Sequence, residues 1–234
     1  TNTTDQSITV NVTDVNESSV TAIADTASTD EDNSVTFDPL ANDTIITSGY
    51  SISVTASTPS NGTVTVNSGN TLTYTPALNF FGTDTFNYTA TVNSVSGTGA
   101  VTITVNSVND LPIINGLSST LTPDENQTSV VTVDASDVET SSLTYTVSGT
   151  DSSLFSISSS GVLTFKSAPD YEAPGDADGD NSYSITIGVS DGTATTSQAV
   201  TVEVQNVADQ VSGIAVDGYV AGATVFQDLD NDGK

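Results

Sequence analysis

The sequence predicts an all-β protein built from β-sandwiches in tandem. Three observations carry this. Val, Ile, Thr and Tyr alternate with small polar residues along most of the chain. Gly, Asn, Asp, Ser and Pro interrupt the alternation every eight to twelve residues, and no stretch longer than ten residues holds a 3.6-residue apolar period. Alternation puts the apolar side chains on one face of a strand, and two such faces closing on each other make a sandwich core. In chain order the strand signals are TVTVNSGNTLTYTP (63–76), FNYTATV (86–92), AVTITVN (100–106), LTYTVSG (143–149), YSITIGVSDG (183–192) and AVTVEVQ (199–205). Phe80, Phe81, Phe86, Tyr88, Phe155 and Phe165 lie in or beside these runs and are expected in the cores. Phe80 and Phe81 are adjacent, so one of the two is expected to face outward. Asn42 and Asp43, in PLANDT, are expected to form a turn through side-chain to backbone bonds.

A repeat is visible in the strand endings. ITVNVTDVNE (8–17), VTITVNSVND (101–110) and VTVEVQNVAD (200–209) are each an alternating strand followed by a short exit that closes on an acid. The closing residues Glu17, Asp110 and Asp209 recur at intervals of 93 and 99 residues, the length of one sandwich domain. The expected organisation is the last strand of one repeat (1–17), two complete repeats (18–109 and 110–209) and the opening of another (210–234). A chain that starts and stops inside repeats is expected to be a segment of a longer tandem array.

The charge is one-sided. The chain's 234 residues hold 29 acids against two lysines, Lys166 and Lys234, for a formal charge of −27. That sign argues against nucleic acid and anionic membrane surfaces as partners. A disordered acidic chain is excluded by the 35% hydrophobic content in strand patterns. Adaptation to high salt and bound cations remain. The acids divide into 23 Asp and only six Glu, which favours cations, because Asp is a turn residue and a short, hard oxygen ligand. Absence of Cys excludes disulfides and thiolate metal sites, and no apolar run approaches the roughly 20 residues of a membrane-spanning helix. Without His or Cys no Ser-His or Cys-His nucleophile can be assembled. A carboxylate pair can in principle cleave glycosides, but here the acids cluster in loops, so no enzyme is expected.

Calcium takes six to eight oxygens, often from loop carboxylates spaced i, i+2. Such spacing occurs at Asp137/Glu139, Asp170/Glu172, Asp176/Asp178/Asp180 and Asp228/Asp230/Asp232. The segment DYEAPGDADGDNSY (170–183) packs five carboxylates into eleven residues with no Lys, Arg or His among them. Without a cation such groups repel, and one protonates or the loop opens. Each set has a plainer reading: a solvated acidic turn at 170–172, a polar hairpin loop at 176–180, an exposed strand-end turn at 228–232. The twelfth position counted from Asp176 is Ile187, so that loop is no EF-hand. Asp30, Glu31 and Asp32 lie on a loop and are as readily a solvated turn as a ligand set.

The combination of PDEN (123–126), SDVE (136–139), ISSSGVLTFKSAPDYEAPGDADGDNSY (157–183) and VSDG (189–192) resembles the bacterial cadherin-like domains of giant repeats-in-toxin adhesins over nearly the whole second repeat. ADTASTDEDNSVTFDPLANDT (24–44), NGTVTV (61–66) and TYTPALNFFGTDTFNYT (73–89) resemble the bacterial Ig-like repeats that accompany them, and VDGYVAGATVFQDLDNDGK (216–234) resembles the start of another module. The resemblance implies tandem Ig-like and cadherin-like Greek-key β-sandwiches with Ca²⁺ at the ends of the repeats. Carried over by motif, one site of the second repeat uses Glu125, Asp170, Glu172 and the exit at Asn206 and Asp209. The other uses Asn109 and Asp110, Asp137 and Glu139, and Asp191. Asp14, Asn16 and Glu17 serve the start of the first repeat. Ser107 and Asn206 stand where the animal cadherin linker typically has Asp, so those sites are expected to hold fewer ions or bind more weakly. The implied function is a calcium-rigidified stalk of a secreted or cell-surface bacterial adhesin, with other domains holding the glycan or protein ligand. A Ca²⁺-dependent sugar- or peptide-binding module, with Asp176–Asp180 as its ion loop, and a filament subunit are the alternatives.

Overall fold

A computed structural model of the chain describes residues 5–10 and 17–208. It divides into two compact units that meet at Val108 and Asn109. Almost all of the regular structure is strand; the exception among the described residues is one 3-10 turn at Ser152–Leu154.

Unit 1 contains β1 (Ser19–Thr21), β2 (Asp25–Asp30), β3 (Val35–Phe37), β4 (Thr44–Ile46), β5 (Ile52–Ala56), β6 (Gly62–Val66), β7 (Leu72–Pro76), β8 (Gly82–Val92) and β9 (Val95–Asn106). A four-stranded sheet of order β2-β9-β8-β5 and a three-stranded sheet of order β3-β7-β6 form the two layers, and β1 pairs with β4. The period of two decides the core. Along β8, Asp84, Phe86, Tyr88, Ala90 and Val92 are buried while their neighbours turn out, and Val101, Ile103 and Val105 do the same on β9. Leu72 and Tyr74 of the facing sheet close the layer, each with no exposed surface. Burying each such side chain stabilises by about 1.5–3 kcal/mol. Segment 63–76 resolves into two strands around the turn at 67–71. Phe80 packs on the core and Phe81 is exposed.

Unit 2 repeats the same plan with β10 (Ile113–Asn115), β11 (Thr120–Leu121), β12 (Ser129–Thr132), β13 (Asp134–Ser136), β14 (Thr144–Ser148), β15 (Phe155–Ile157), β16 (Val162–Phe165), β17 (Ser182–Ser190) and β18 (Thr195–Glu203). The sheets are β11-β18-β17-β14 and β12-β16-β15, with β10 pairing β13. Each strand therefore has a counterpart in unit 1, down to the parallel pairing of the first long-sheet strand with the last, β2 with β9 and β11 with β18. Phe155, Phe165 and Tyr183 form an aromatic cluster with ring centroids 4.4–5.9 Å apart.

Among the described residues, 8–10 belong to no ladder, and Ile8 and Val10 are 82% and 75% exposed. One expectation meets a different outcome. Asn42 and Asp43 do more than shape a local turn. Asp43 accepts from Ile23 N–H (2.8 Å) and the Tyr88 hydroxyl, and Asn42 donates to the Ala24 carbonyl, which ties the 38–43 loop to the β1–β2 crossing. The segment 210–234 and the residues Asp14, Asn16, Asp209, Asp228, Asp230 and Asp232 lie outside the described residues.

Candidate metal centre

The acids of unit 2 gather in three places. At its C-terminal pole, where β18 ends, Glu125 is 4% exposed. Asp124 bridges to Gln205, and Glu125 N–H donates to the Gln205 carbonyl, which fixes the glutamate beside the exit strand. Its Oε1 accepts from Val207 N–H and its Oε2 from Tyr171 N–H, both at 2.8 Å. Those bonds bring the β16–β17 loop against it, so that carboxylate oxygens of Glu125, Asp170 and Glu172 lie within 4.8 Å of one another. Asp170 shapes the turn by accepting from the N–H groups of Glu172 and Ala173. Asn206 donates to Glu172 Oε1 at 2.6 Å. The DYE motif and the exit asparagine thus converge.

The same loop continues into Asp176, Asp178 and Asp180, whose carboxylates also approach within 4.8 Å. Asp176 accepts from the N–H groups of Asp180 and Asn181, and Gly179 and Asn181 take φ of +76° and +65° to turn the chain. Burial pushes the Asp176 carboxyl up, but these N–H bonds, its own N–H and a side-chain bond with the Asp178 carboxyl outweigh it and hold it low. Asp178 is raised, first by its bond to Asp176 and then by the charge of Asp180. The loop hangs from a residue the sequence reading passed over. Asp151, 5% exposed, accepts from Ala177 N–H at 3.0 Å and Ser184 N–H at 2.7 Å. The aromatic cluster floors the loop, and Tyr183 Oη accepts from Gly175 N–H.

The third group collects Asn109, Asp110, Asp137, Glu139 and Asp191. Asp110 N–H donates to Glu139 Oε2, Asp137 Oδ1 accepts from the N–H groups of Glu139 and Thr140, and Asn109 donates to Asp191 Oδ2. The N–H groups of Ala194 and Thr193, with the Asn109 amide, hold the Asp191 carboxyl below the usual range. Three oxygens of this group, Asp110 Oδ2, Asp137 Oδ2 and Glu139 Oε1, are buried with no hydrogen-bond partner. Glu17 of unit 1 is exposed, and its backbone carbonyl accepts from the Ser48 hydroxyl.

Unit 1 supplies a residue that the sequence left as part of a polar loop. Glu31 is 3% exposed, its N–H donates to the Asn106 carbonyl, its Oε1 accepts from Val108 N–H at 2.6 Å, and its Oε2 is buried without a partner. Those bonds match Glu125 with Gln205 and Val207. In the sequence only the short run TDED (29–32), set against PDEN (123–126), puts Glu31 in the place of Glu125.

A family model for bacterial Ig domains matches residues 16–106 and again 109–204. The chain belongs to the bacterial Ig domain family. No curated protein matches it. Among solved structures the bacterial Ig pair is similar to protocadherin gamma C5 EC1-3, at 20% identity and a TM-score of 0.50, over 82% of this chain and 70% of that one. It is similar also to protocadherin gamma B2 extracellular cadherin domains 1-5 (18%, TM-score 0.49, 84% of this chain) and to Drosophila N-cadherin EC1-4 (15%, TM-score 0.39, over 83% and 52%). The chain spans 42% of the length of the protocadherin gamma B2 structure. At these identities the likeness is one of fold: Ig- and cadherin-like sandwiches in tandem. Bacterial Ig domains are typically structural modules that are extracellular or surface-exposed. No helix among the described residues is long and apolar enough to cross a membrane.

Proposed function

We propose that these bacterial Ig domains are a calcium-rigidified stalk segment of a secreted or cell-surface bacterial adhesin, of the repeats-in-toxin type. The observation that carries the reading is the pole of unit 2. There the buried Glu125 has Asp170 and Glu172 within 4.8 Å, and no cationic side chain lies among them. The donor set fits Ca²⁺ and few other ions: oxygen only, mostly carboxylate, with no His or Cys in the chain. The orphaned oxygens of Asp110, Asp137 and Glu139 fit the same ion, because a buried carboxylate oxygen without a partner costs free energy that a cation recovers.

Bound Ca²⁺ supplies the positive charge that lets these carboxylates stay ionised together. Glu125, Asp170, Glu172 and Asn206 hold one end of unit 2, with Asp209 expected to join them. Asn109, Asp110, Asp137, Glu139 and Asp191 hold the other, and Asp14, Asn16 and Glu17 serve the start of unit 1. An ion that ties the exit strand to the DYE loop restricts how the chain leaves the repeat. In a tandem array, that restriction turns a flexible string into a rod. The test is thermal unfolding in millimolar Ca²⁺, in chelator and in Mg²⁺, joined to small-angle scattering. A ligand at about 100 times its Kd adds about 2.7 kcal/mol per site, so the midpoint is expected to rise by many degrees with Ca²⁺ alone. Equal midpoints and equal chain length in Ca²⁺ and chelator would sink the reading.

The exposed Asp178 and Asp180 favour one second reading. An ion held there keeps coordination positions open to solvent, as a Ca²⁺-dependent sugar- or peptide-binding loop requires. Chelator-sensitive glycan-array binding that is lost in Asp178→Asn would support it.

A further inference from the structure

Asn-Gly occurs twice in the chain, at 61–62 and at 115–116. Glycine carries no Cβ, so its backbone nitrogen can reach the amide carbon of the asparagine before it. The fold treats the two pairs oppositely. Asn61 is half-buried. Its N–H donates to Asp84 Oδ2 at 2.8 Å, and its carbonyl accepts from Ala77 N–H at 2.8 Å and from the Tyr74 hydroxyl at 3.2 Å. A Cβ placed on Gly62 would lie 2.5 Å from the Thr75 carbonyl oxygen and 2.8 Å from Tyr74 Oη. Ring closure has to swing the Asn61 carbonyl, and two donors hold it. Asn115 and Gly116 are both exposed, Gly116 takes φ of +62°, and nothing lies within 4 Å of a Cβ placed on it. Asn115 is the last rung of a three-rung ladder, Ile113–Ser136, Ile114–Ala135 and Asn115–Asp134, in a sheet of two strands. So short a pair opens readily. The Asn115 side-chain amide donates to the Ser136 hydroxyl at 3.3 Å, a long bond.

We propose that Asn115 is a site of spontaneous deamidation, a reaction from which the fold protects Asn61. The Gly116 backbone nitrogen attacks Asn115 Cγ. A C–N bond forms, the bond from Cγ to Nδ2 breaks, and ammonia leaves with the proton that Gly116 gives up. Water then opens the five-membered imide at either carbonyl, leaving aspartate or isoaspartate at 115. Either product sets a negative charge opposite Asp134, and like charges directly opposite destabilise a strand pair. Isoaspartate also inserts an extra carbon into the main chain of β10 and breaks its register with β13. β13 runs on into Asp137, whose Oδ1 accepts from the N–H groups of Glu139 and Thr140. The loosening therefore reaches the loop proposed above to hold Ca²⁺, while the conversion itself does not depend on that reading. The reaction runs one way, so the converted fraction records the age of the chain.

The experiment incubates the whole chain in mildly alkaline buffer, folded and in urea, without added metal. Chymotryptic peptides are followed over time by mass spectrometry, and isoaspartate is labelled with an isoaspartyl methyltransferase. Freeing Asn61 breaks two neutral hydrogen bonds and one to a carboxylate, so in the folded chain Asn115 is expected to convert at least about tenfold faster. In urea the two should convert alike. In Asn115→Gln the label is expected to vanish from the 115 peptide, because glutamine must close a larger ring. Amide hydrogen exchange in β10 and β13 should speed up as conversion proceeds. Asn61 keeping pace with Asn115 in the folded chain would overturn the proposal, and so would Asn115 surviving there while urea converts it. Unchanged exchange in a converted chain would overturn the loosening of β10 and leave the modification site standing.

Discussion

Glu125→Gln separates the structural from the ionic role of the same side chain. Without metal, Glu125 repels two neighbours, with the oxygens concerned within 4.8 Å of each other. At that distance a like-charge pair costs about 1 kcal/mol in water-like surroundings and about 3.5 kcal/mol at an effective dielectric near 20. Asp170 is exposed, so the lower figure applies, and relief from both neighbours is worth about 2 kcal/mol. Against it, Gln replaces one acceptor oxygen by an N–H₂ group, and either Tyr171 or Val207 N–H loses its partner. That costs about 1–3 kcal/mol. The two nearly cancel, so in chelator the variant should lie within about 1 kcal/mol of wild type. With Ca²⁺ at about 100 times Kd the lost site adds a further deficit of about 2.7 kcal/mol. Urea unfolding followed by tyrosine fluorescence in both buffers measures each value. An equal deficit in Ca²⁺ and in chelator would refute the argument and leave Glu125 a purely structural acceptor.

Three more outcomes are expected. Asp84 is 3% exposed and accepts from the N–H groups of Ser60, Asn61 and Thr85 and from the Tyr74 hydroxyl, so Asp84→Ala should destabilise unit 1 by about 3–5 kcal/mol, measured by denaturant titration. Burial pushes its carboxyl up, but the donors, led by Asn61 N–H, outweigh that and hold it low; its contribution is therefore full above the ordinary value of 3.8 and lost as pH falls through the depressed one. Asp25 is the reverse case. Burial first, then the charge of Asp43, raises its carboxyl, and Oδ2 is buried without a partner. Its ionised form therefore penalises the fold above pH 3.8, and Asp25→Asn should raise the melting midpoint at pH 7 but give no gain near pH 3. Finally, trypsin has one internal target, Lys166, whose N–H is held by the Leu154 carbonyl and whose ammonium is held by Ser153. Cleavage there, followed by mass spectrometry, should be slow in Ca²⁺ and faster in chelator, where the adjoining acidic loop loosens.

The long strands were legible because alternation over nine to twelve residues, as in β8, β9, β17 and β18, leaves one face mostly apolar. Strands of two to four residues, such as β1, β3, β4 and β10 to β13, are too short to show any period, and pairing alone defines them. The acids of the DYE and SDVE motifs were legible by spacing. Glu31 was not, because it sits in the polar run Thr-Asp-Glu-Asp-Asn and becomes distinctive only when its backbone partners are known. Asp84 carried a readable sign: it is in phase with Phe86 and Tyr88 on the inward face of β8. Asp151 carried none, since its partners Ala177 and Ser184 are set by how a distant loop folds back.

The parallel pairing of β2 with β9 has a mechanical consequence. The chain enters unit 1 ahead of Asp25 and leaves after Asn106, and the two strands lie side by side in register from Asp25–Val101 to Asp30–Asn106. Tension drawn through the two ends pulls these neighbours in opposite senses along their length. Every hydrogen bond of that ladder is loaded in shear at once, and none can be unzipped before the next. In unit 2 the matching clamp is shorter, Thr120–Leu121 on Thr201–Val202 with the single bridge of Asp124 to Gln205. Under a steady pull the second repeat is therefore the one to yield first, and it is also the one whose acidic loop can be cross-tied by an ion.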